Sequence, residues 1–261
     1  MTPERLLLTG ANGRVGSLLS RGLRSQGRIL RLADRSAVES ALPEDETCLF
    51  DLHDRAAVAQ ATKGVNVVVH LGAIADEASF DSIAATNIGG TYNVFDAAQR
   101  AGARRIVFAS SLHAVGFYPV APPISVDVPT RPDTLYGVSK VFGEALGRYY
   151  HDKFGIEVVC VRIGSYVSQP FQRRHLATWI SPHDLVALFR RAVDAPGIGF
   201  AIAYGASRNR RSFAQGAAEN LGYEPRDDAE AYVDDVATAN DPHPELVGGE
   251  LTERNYRGQR S

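Results

Sequence analysis

The chain has 261 residues, 44% of them hydrophobic and 22% charged, with a formal net charge of −2. That supports one sizeable α/β core, and without a basic excess no nucleic-acid-binding face is expected. The apolar runs are too short for a signal peptide or a membrane span, and no Cys/His cluster has metal-ligand spacing, so the cytoplasm is the default setting and no metal is expected.

Short apolar runs alternate with longer amphipathic ones along the chain. RLLLTG (5–10) reads as the first strand, followed by a helical pattern over 14–26. RILRLAD (28–34) and TCLFDL (47–52) read as the next two strands, with a helix over 53–63. VNVVVHLGA (65–73) precedes a helix over 81–101, and RRIVFASS (104–111) forms a fifth strand. Residues 116–133 hold five of the thirteen prolines and read as a loop into a helix over 134–154. IEVVCVRIG (156–164) and FAIAYGAS (200–207) complete the strands, separated by a polar, basic stretch at 165–182 and a helix over 183–195. From about 222 the chain is polar, and its tail NDPHPELVGGELTERNYRGQRS has little periodicity. The alternation predicts a doubly wound parallel sheet, a Rossmann fold, built as one nucleotide-binding domain over 1–261. Cys48 and Cys160 both sit in apolar runs and read as buried free thiols.

The turn TGANGRVG (9–16) joins the first strand to the first helix. Gly10 suits the tight turn, Gly13 the close approach of a pyrophosphate, and Gly16 the packing of helix against strand. The helix N-terminus then faces the anion, with Asn12, Arg14 and Val15 at its mouth. Asp34 ends the second strand about twenty residues on, where a carboxylate accepts from ribose hydroxyls and repels a 2′-phosphate. NAD is therefore favoured over NADP. Arg35 beside it reads as a solvated turn residue or as a partial offset to that repulsion. Asp51 and Leu52 are expected to end the third strand near the adenine. Leu71, Gly72 and Ala73 are expected to end the fourth, where small residues leave room for the cofactor.

LYGVSK (135–140) sets Tyr136 and Lys140 one helical turn apart on one face. Ser110 and Ser111 end the fifth strand, so a serine hydroxyl lies at the same sheet edge. A tyrosine of ordinary pKa, about 10, is a poor base at neutral pH. Bringing it there needs about 4 kcal/mol of preferential stabilisation of the phenolate. The Lys140 ammonium and a nicotinamide cation are expected to supply it. Tyr136 would then take a hydroxyl proton as hydride leaves the same carbon.

Together TGANGRVG, ASS and YGVSK resemble the short-chain dehydrogenase/reductase superfamily, in its extended, epimerase-like branch. That likeness implies cofactor contacts at Asn87, Lys140 and Tyr166, and a homo-oligomer. RLADRS, VHLGAI, NIGGTYNVFDAA, RIVFASSLHAVGFYP, RPDTLYGVSKVFGE, VRIGS and LATWIS more closely resemble the bacterial uronate dehydrogenases. The resemblance implies NAD-dependent oxidation of C1 of a pyranose uronic acid to an aldarolactone. It implies Tyr136 as base, sugar contacts at Ser111 and His113, and a carboxylate held by Ser165 and Arg174. Substrate elements would then lie at about 111–133, at 165–182 and in the C-terminal region. Two positions depart from the family pattern. Ala75 stands where serine is common and Leu112 where asparagine is common, and both are expected to face the sugar. Arg173 beside Arg174 leaves open another anionic aldose, a sulfo-sugar or a sugar phosphate. Trp179 reads as core packing rather than a sugar platform.

Overall fold

In the computed structural model, residues 3–215, 218, 221–239, 241 and 243–258 are described. Parts of the first strand's leader (1 and 2) and of the polar tail (240, 242 and 259–261) lie outside the described residues. Among the described residues nine strands form: β1 (Glu4–Thr9), β2 (Arg28–Asp34), β3 (Glu46–Leu49), β4 (Val67–His70), β5 (Arg105–Ser111), β6 (Glu157–Ile163), β7 (Ser165–Tyr166), β8 (Trp179–Ile180) and β9 (Phe200–Gly205). Seven of them build one parallel sheet in the order β3-β2-β1-β4-β5-β6-β9, the doubly wound order expected. The short β7 and β8 pair with each other inside the stretch read as polar and basic.

The helices are α1 (Arg14–Gly22), α2 (Arg55–Thr62), α3 (Phe80–Ile83), α4 (Gly90–Arg100), α5 (Leu135–Phe154), α6 (His175–Thr178), α7 (Pro182–Asp194) and α8 (Val233–Val236). A wide π turn, Ala84–Gly89, joins α3 to α4 and carries Asn87. Strand alternation sorts side chains to two faces. Leu6, Leu8, Val67, Val69 and Val107 pack with Leu19 of α1 and Leu185, Leu188 and Phe189 of α7. Leu7, Val68, Ile106 and Phe108 pack on the other side with Val58, Val94, Phe95 and Tyr150. Both faces of the central strands are thus dry, which is why they read as continuous apolar runs.

Two strands are shorter than expected. β3 stops at Leu49 because its partner β2 stops at Asp34, and Asp51 and Leu52 fall in the turn beyond. β4 stops at His70, so Leu71, Gly72 and Ala73 lie just past its end. Cys160 is buried as expected, whereas Cys48 on the edge strand β3 is only half-buried.

The tyrosine helix α5 is tied down at three levels. Thr134 caps it by accepting from the Gly137 N–H at 2.9 Å. Gly143 and Gly147 bring it onto the sheet. A Cβ at Gly143 would lie 2.2 Å from the Phe108 ring, and one at Gly147 2.8 Å from Val158. Buried Glu144 receives two 2.8 Å bonds from the buried Arg162 guanidinium and one of 2.6 Å from Ser110 Oγ. Ser110 is thereby assigned to structure, leaving Ser111 for the site.

Candidate active site

The carboxyl edge of the sheet gathers the predicted residues from both halves of the chain. Gly10 adopts φ 72°, and a Cβ there would sit 2.8 Å from the Gly72 nitrogen. A Cβ at Gly16 would lie 2.1 Å from the Gly10 carbonyl oxygen, so α1 can start this close to the turn only with glycine. Gly13 precedes α1 without a side chain to cap it, leaving the first-turn N–H groups free for an anion. Val15 turns its side chain to the core, so its backbone is what faces the mouth.

Asp34 is half-buried and accepts from the Asn12 N–H at 2.9 Å and the Arg35 N–H at 2.8 Å. Backbone donors hold the carboxylate at the strand end. The Asn12 side chain is spent on the following loop. It donates to Ser36 and Ala37 and accepts from the Glu39 N–H. Arg14 donates to the Tyr166 carbonyl at 3.0 Å and lies 5.8 Å from its ring centroid. Two predicted residues 152 positions apart thus meet. Leu52 fills a gap that exists because Gly72 and Gly90 lack Cβ atoms, which would lie 3.1 and 2.7 Å from it. Asp51 is exposed and accepts from the His53 N–H at 3.0 Å. Ala73 is half-buried. A glycine cradle, uncapped helix N–H groups and a positioned carboxylate together fit a dinucleotide.

Asn87 is buried and clamps the turn after β4. It accepts from the Ile74 N–H at 2.8 Å and donates to the Ile74 carbonyl at 2.9 Å and to Ser139 Oγ at 3.0 Å. Ser139 donates in turn to the Tyr136 carbonyl at 2.6 Å. The asparagine therefore links the cofactor side of the site to α5.

Tyr136 and Lys140 are both buried, the ammonium 5.3 Å from the phenol ring centroid. Lys140 Nζ donates to the Ala109 carbonyl at 2.8 Å. Burial pushes the lysine down to about 7. Burial also pushes Tyr136 up to about 12; the hydrogen bond from Ser111 opposes the rise, and the charges of Asp133 and Asp76 add to it. The expected depression of the phenol is thus absent from the chain by itself. The desolvation of a buried phenolate outweighs what one buried, partly neutralised lysine can offer.

His113 and Ser111 come from the turn that follows β5. Ser111 Oγ accepts from the His113 N–H at 3.2 Å. The His113 ring meets the Tyr136 ring edge-on, centroids 5.9 Å apart, and its Nδ1 lies 2.7 Å from Asp133 Oδ2. Asp133 is a residue that the sequence reading missed. Nothing in its local pattern (RPDT) distinguishes it from a loop aspartate. Ala75 is exposed on the turn after β4. Leu112 is buried, packed with Val115, Ile124, Ala177, Phe213 and Val247. It forms apolar wall where an open sugar contact was expected.

Arg174 is nine-tenths buried, and burial lowers its pKa. Its guanidinium donates to Gln172 Oε1 at 3.1 Å, Ser165 Oγ at 3.3 Å and the Val247 carbonyl at 3.4 Å. Among the described residues no carboxylate pairs with it within 4.0 Å. Gly249, at φ 57°, crosses it so closely that a Cβ would lie 2.4 Å from Arg174 Cδ. Arg173, in contrast, is exposed and donates to the Ala237 carbonyl at 2.9 Å. Its side chain thus points away from the Arg174 guanidinium's partners. Trp179 is buried, donates to the Val167 carbonyl at 2.9 Å and stacks edge-on against Tyr232, as core packing requires.

The C-terminal segment closes over the site. Gly248 N–H donates to the Gly116 carbonyl at 2.9 Å, and Tyr256 Oη donates to Asp76 Oδ1 at 2.9 Å. Away from the site, His183, Asp184 and Asp227 cluster closely enough to offer three ligand atoms. The Asp184 oxygens already accept from the Arg226 and Asp227 N–H groups, so the cluster serves to dock that loop on α7. No helix among the described residues is long and apolar enough to cross a membrane.

A model of the NAD dependent epimerase/dehydratase family matches residues 6–189. Uronate dehydrogenase from Pseudomonas putida is 41% identical, the match covering 94% of this chain and 94% of that protein. An NAD-dependent glucose-6-phosphate dehydrogenase from Haloferax volcanii is 38% identical, over 88% of this chain and 96% of its own. A crystal structure of a uronate dehydrogenase mutant from Agrobacterium tumefaciens, complexed with NAD, superposes with a TM-score of 0.90 at 41% identity, covering 95% of this chain and 97% of that one. In sequence and in shape alike, the chain belongs to the NAD dependent epimerase/dehydratase family.

Proposed function

We propose that this protein is an NAD-dependent dehydrogenase that oxidises C1 of a pyranose uronic acid, of glucuronate or galacturonate type, to the aldarolactone. The carrying observation is Arg174: a buried guanidinium with no carboxylate within 4.0 Å among the described residues, beside Ser165, at the edge that also holds Tyr136. A planar carboxylate supplies two acceptors and one negative charge to that fork. NAD, when bound, accepts the hydride from C1. Gly10, Gly13 and the α1 N-terminus would hold its pyrophosphate, and Asp34 its ribose.

On this reading Ser111 and Tyr136 bracket the C1 hydroxyl, and Tyr136 takes its proton. C1 thereby loses a hydride, its hydroxyl loses a proton, and that oxygen becomes the lactone carbonyl. Lys140, held by the Ala109 carbonyl, supports the phenolate electrostatically. His113 orients the sugar by a hydrogen bond, and Ser165 with Arg174 sets the carboxylate at the far end. Ala75 offers no polar group and Leu112 is turned into the apolar wall, so fewer sugar hydroxyls are held than in a site lined by asparagine and serine. The whole chain acts as one nucleotide-binding unit, a cytoplasmic homo-oligomer by likeness to its superfamily. The test is NADH formation with glucuronate and galacturonate beside their neutral parent sugars, which the reading expects to be far poorer substrates. A second reading, the same chemistry on another anionic aldose, draws on the likeness to the Haloferax volcanii glucose-6-phosphate dehydrogenase and on a guanidinium fork that pairs with a phosphate as well as with a carboxylate. Turnover of glucose 6-phosphate or a sulfo-sugar without turnover of either uronate would select it.

A further inference from the structure

Asp133 is the most tightly enclosed carboxylate near the site. Its side chain is fully buried. Three glycines from separate parts of the chain surround it. A Cβ at Gly116 or at Gly248 would lie 1.9 Å from its Oδ2, and one at Gly137 would lie 3.2 Å from its Oδ1. No larger residue at these places would leave the carboxylate where it is. Thr134 Oγ1 donates to Oδ1 at 3.1 Å, and the same hydroxyl caps α5. The remaining oxygen, Oδ2, is 2.7 Å from His113 Nδ1. The imidazole side chain retains 15% exposure. With Nδ1 turned to a wholly buried group, the edge carrying Nε2 is the part left to the site.

We propose that Asp133 is a positioning residue that holds His113 in its Nδ1–H tautomer, so that Nε2 accepts a hydrogen bond from a substrate hydroxyl. This rests on the reading of His113 as a sugar contact. The physical logic is that a carboxylate is an acceptor only, so its partner nitrogen must carry the proton. In the neutral ring the other nitrogen is then a lone pair, and a doubly protonated ring would overturn the proposal as the reverse tautomer would. The site consequently prefers a hydroxyl, which can donate, over a carbonyl or ether oxygen at the same place. The tautomer is also tied to α5, because the Thr134 hydroxyl serves both the helix cap and the carboxylate.

The test has two arms. Side-chain nitrogen NMR on the wild-type protein, with His113 assigned by its loss in His113→Gln, should show a protonated Nδ1 and an unprotonated Nε2. The reverse tautomer overturns the proposal, whatever the substrate proves to be. In the second arm, kcat/KM is measured for Asp133→Asn, His113→Gln and the double variant on glucuronate. Each single change should lower it roughly 10- to 100-fold, the double change no further, and NAD affinity should stay within about twofold. Losses that multiply in the double variant, or full activity in Asp133→Asn, overturn the proposal. A wild type that turns over no uronate would instead sink the functional reading, and the NMR arm would still decide the tautomer.

Discussion

At the scale of single residues, the site contains two desolvation costs that a ligand would relieve. Tyr136 is pushed up to about 12 and Lys140 down to about 7, both by burial. The pair is thus biased toward its neutral forms until a cationic ring and a substrate complete the surroundings. Tyr136→Phe keeps the ring and removes the proton acceptor. It should lower kcat by about 10²–10⁴-fold with little change in NAD affinity, measured by single-turnover NADH formation. Arg174 is the second cost. Arg174→Met keeps much of the packing and removes the unpaired buried charge. It should lower kcat/KM for a uronate by roughly 100-fold or more while leaving the Tm of the ligand-free protein unchanged or higher. A large fall in Tm would mean that the guanidinium holds the fold and not the substrate. Among these residues, sequence pattern made Tyr136, Lys140, Ser111 and Asp34 legible, because each sits at a fixed offset in a strand or helix. Asp133 was invisible because its meaning comes from Gly116, Gly137 and Gly248 folding around it. Leu112 was misread for the same reason: the side of the turn it faces is set by Ile124 and Phe213, remote in the chain.

At the scale of elements, α5 is the part whose placement matters most. Gly143 and Gly147 set its distance from β5 and β6, and the Glu144–Arg162 pair sets its rotation. Gly143→Ala drives a methyl group into the Phe108 ring, whose position is fixed by packing in the sheet. It should cost about 1–3 kcal/mol of stability, read from denaturant midpoints, and should reduce kcat more than NAD affinity. The reason is that Lys140 reaches the Ala109 carbonyl from the same helix. All seven strands of the main sheet and the five main helical patterns could be read from apolar periodicity. Their ends could not, because β3 stops where β2 stops and β4 where β1 stops. The strand pair in 165–182 also went unseen, since two-residue strands carry no period. Asn87 fell within the helical pattern over 81–101 and took its role from likeness alone, and the π turn that aims it at Ile74 has no signature in the sequence.

At the scale of the whole molecule, two histidines are buried without charge. His70 is pushed down to about 3 by burial and by the Lys140 charge, between hydroxyls of Thr9 and Thr91 at 2.7 and 3.1 Å. His175 is likewise pushed down to about 3 by burial and by Arg174. Their folded values lie below the ordinary 6.5, so the unfolded chain binds the protons first as pH falls. The stability that these two neutral histidines contribute is therefore full above about pH 6.5 and is lost progressively toward pH 3. The salt-bridged carboxylates Glu4, Asp45, Glu46 and Glu157 are lowered as well, but their contribution fades only below their ordinary range near 4.5. The descent of Tm between about pH 6.5 and 4.5 should thus belong to the histidines, with about two protons taken up on unfolding across it. A flat Tm over that range would contradict their buried, neutral state.

The central claim is that a buried, unpaired Arg174 makes this dehydrogenase one for sugar acids. It is tested most directly by NADH formation with NAD and glucuronate, galacturonate, glucose and galactose, for the wild type and Arg174→Ala side by side. The account predicts turnover of at least one uronate, little of either neutral sugar, and loss of the uronate preference in the variant. Equal turnover of acid and neutral sugars by the wild type, or a preference that survives in Arg174→Ala, would contradict it.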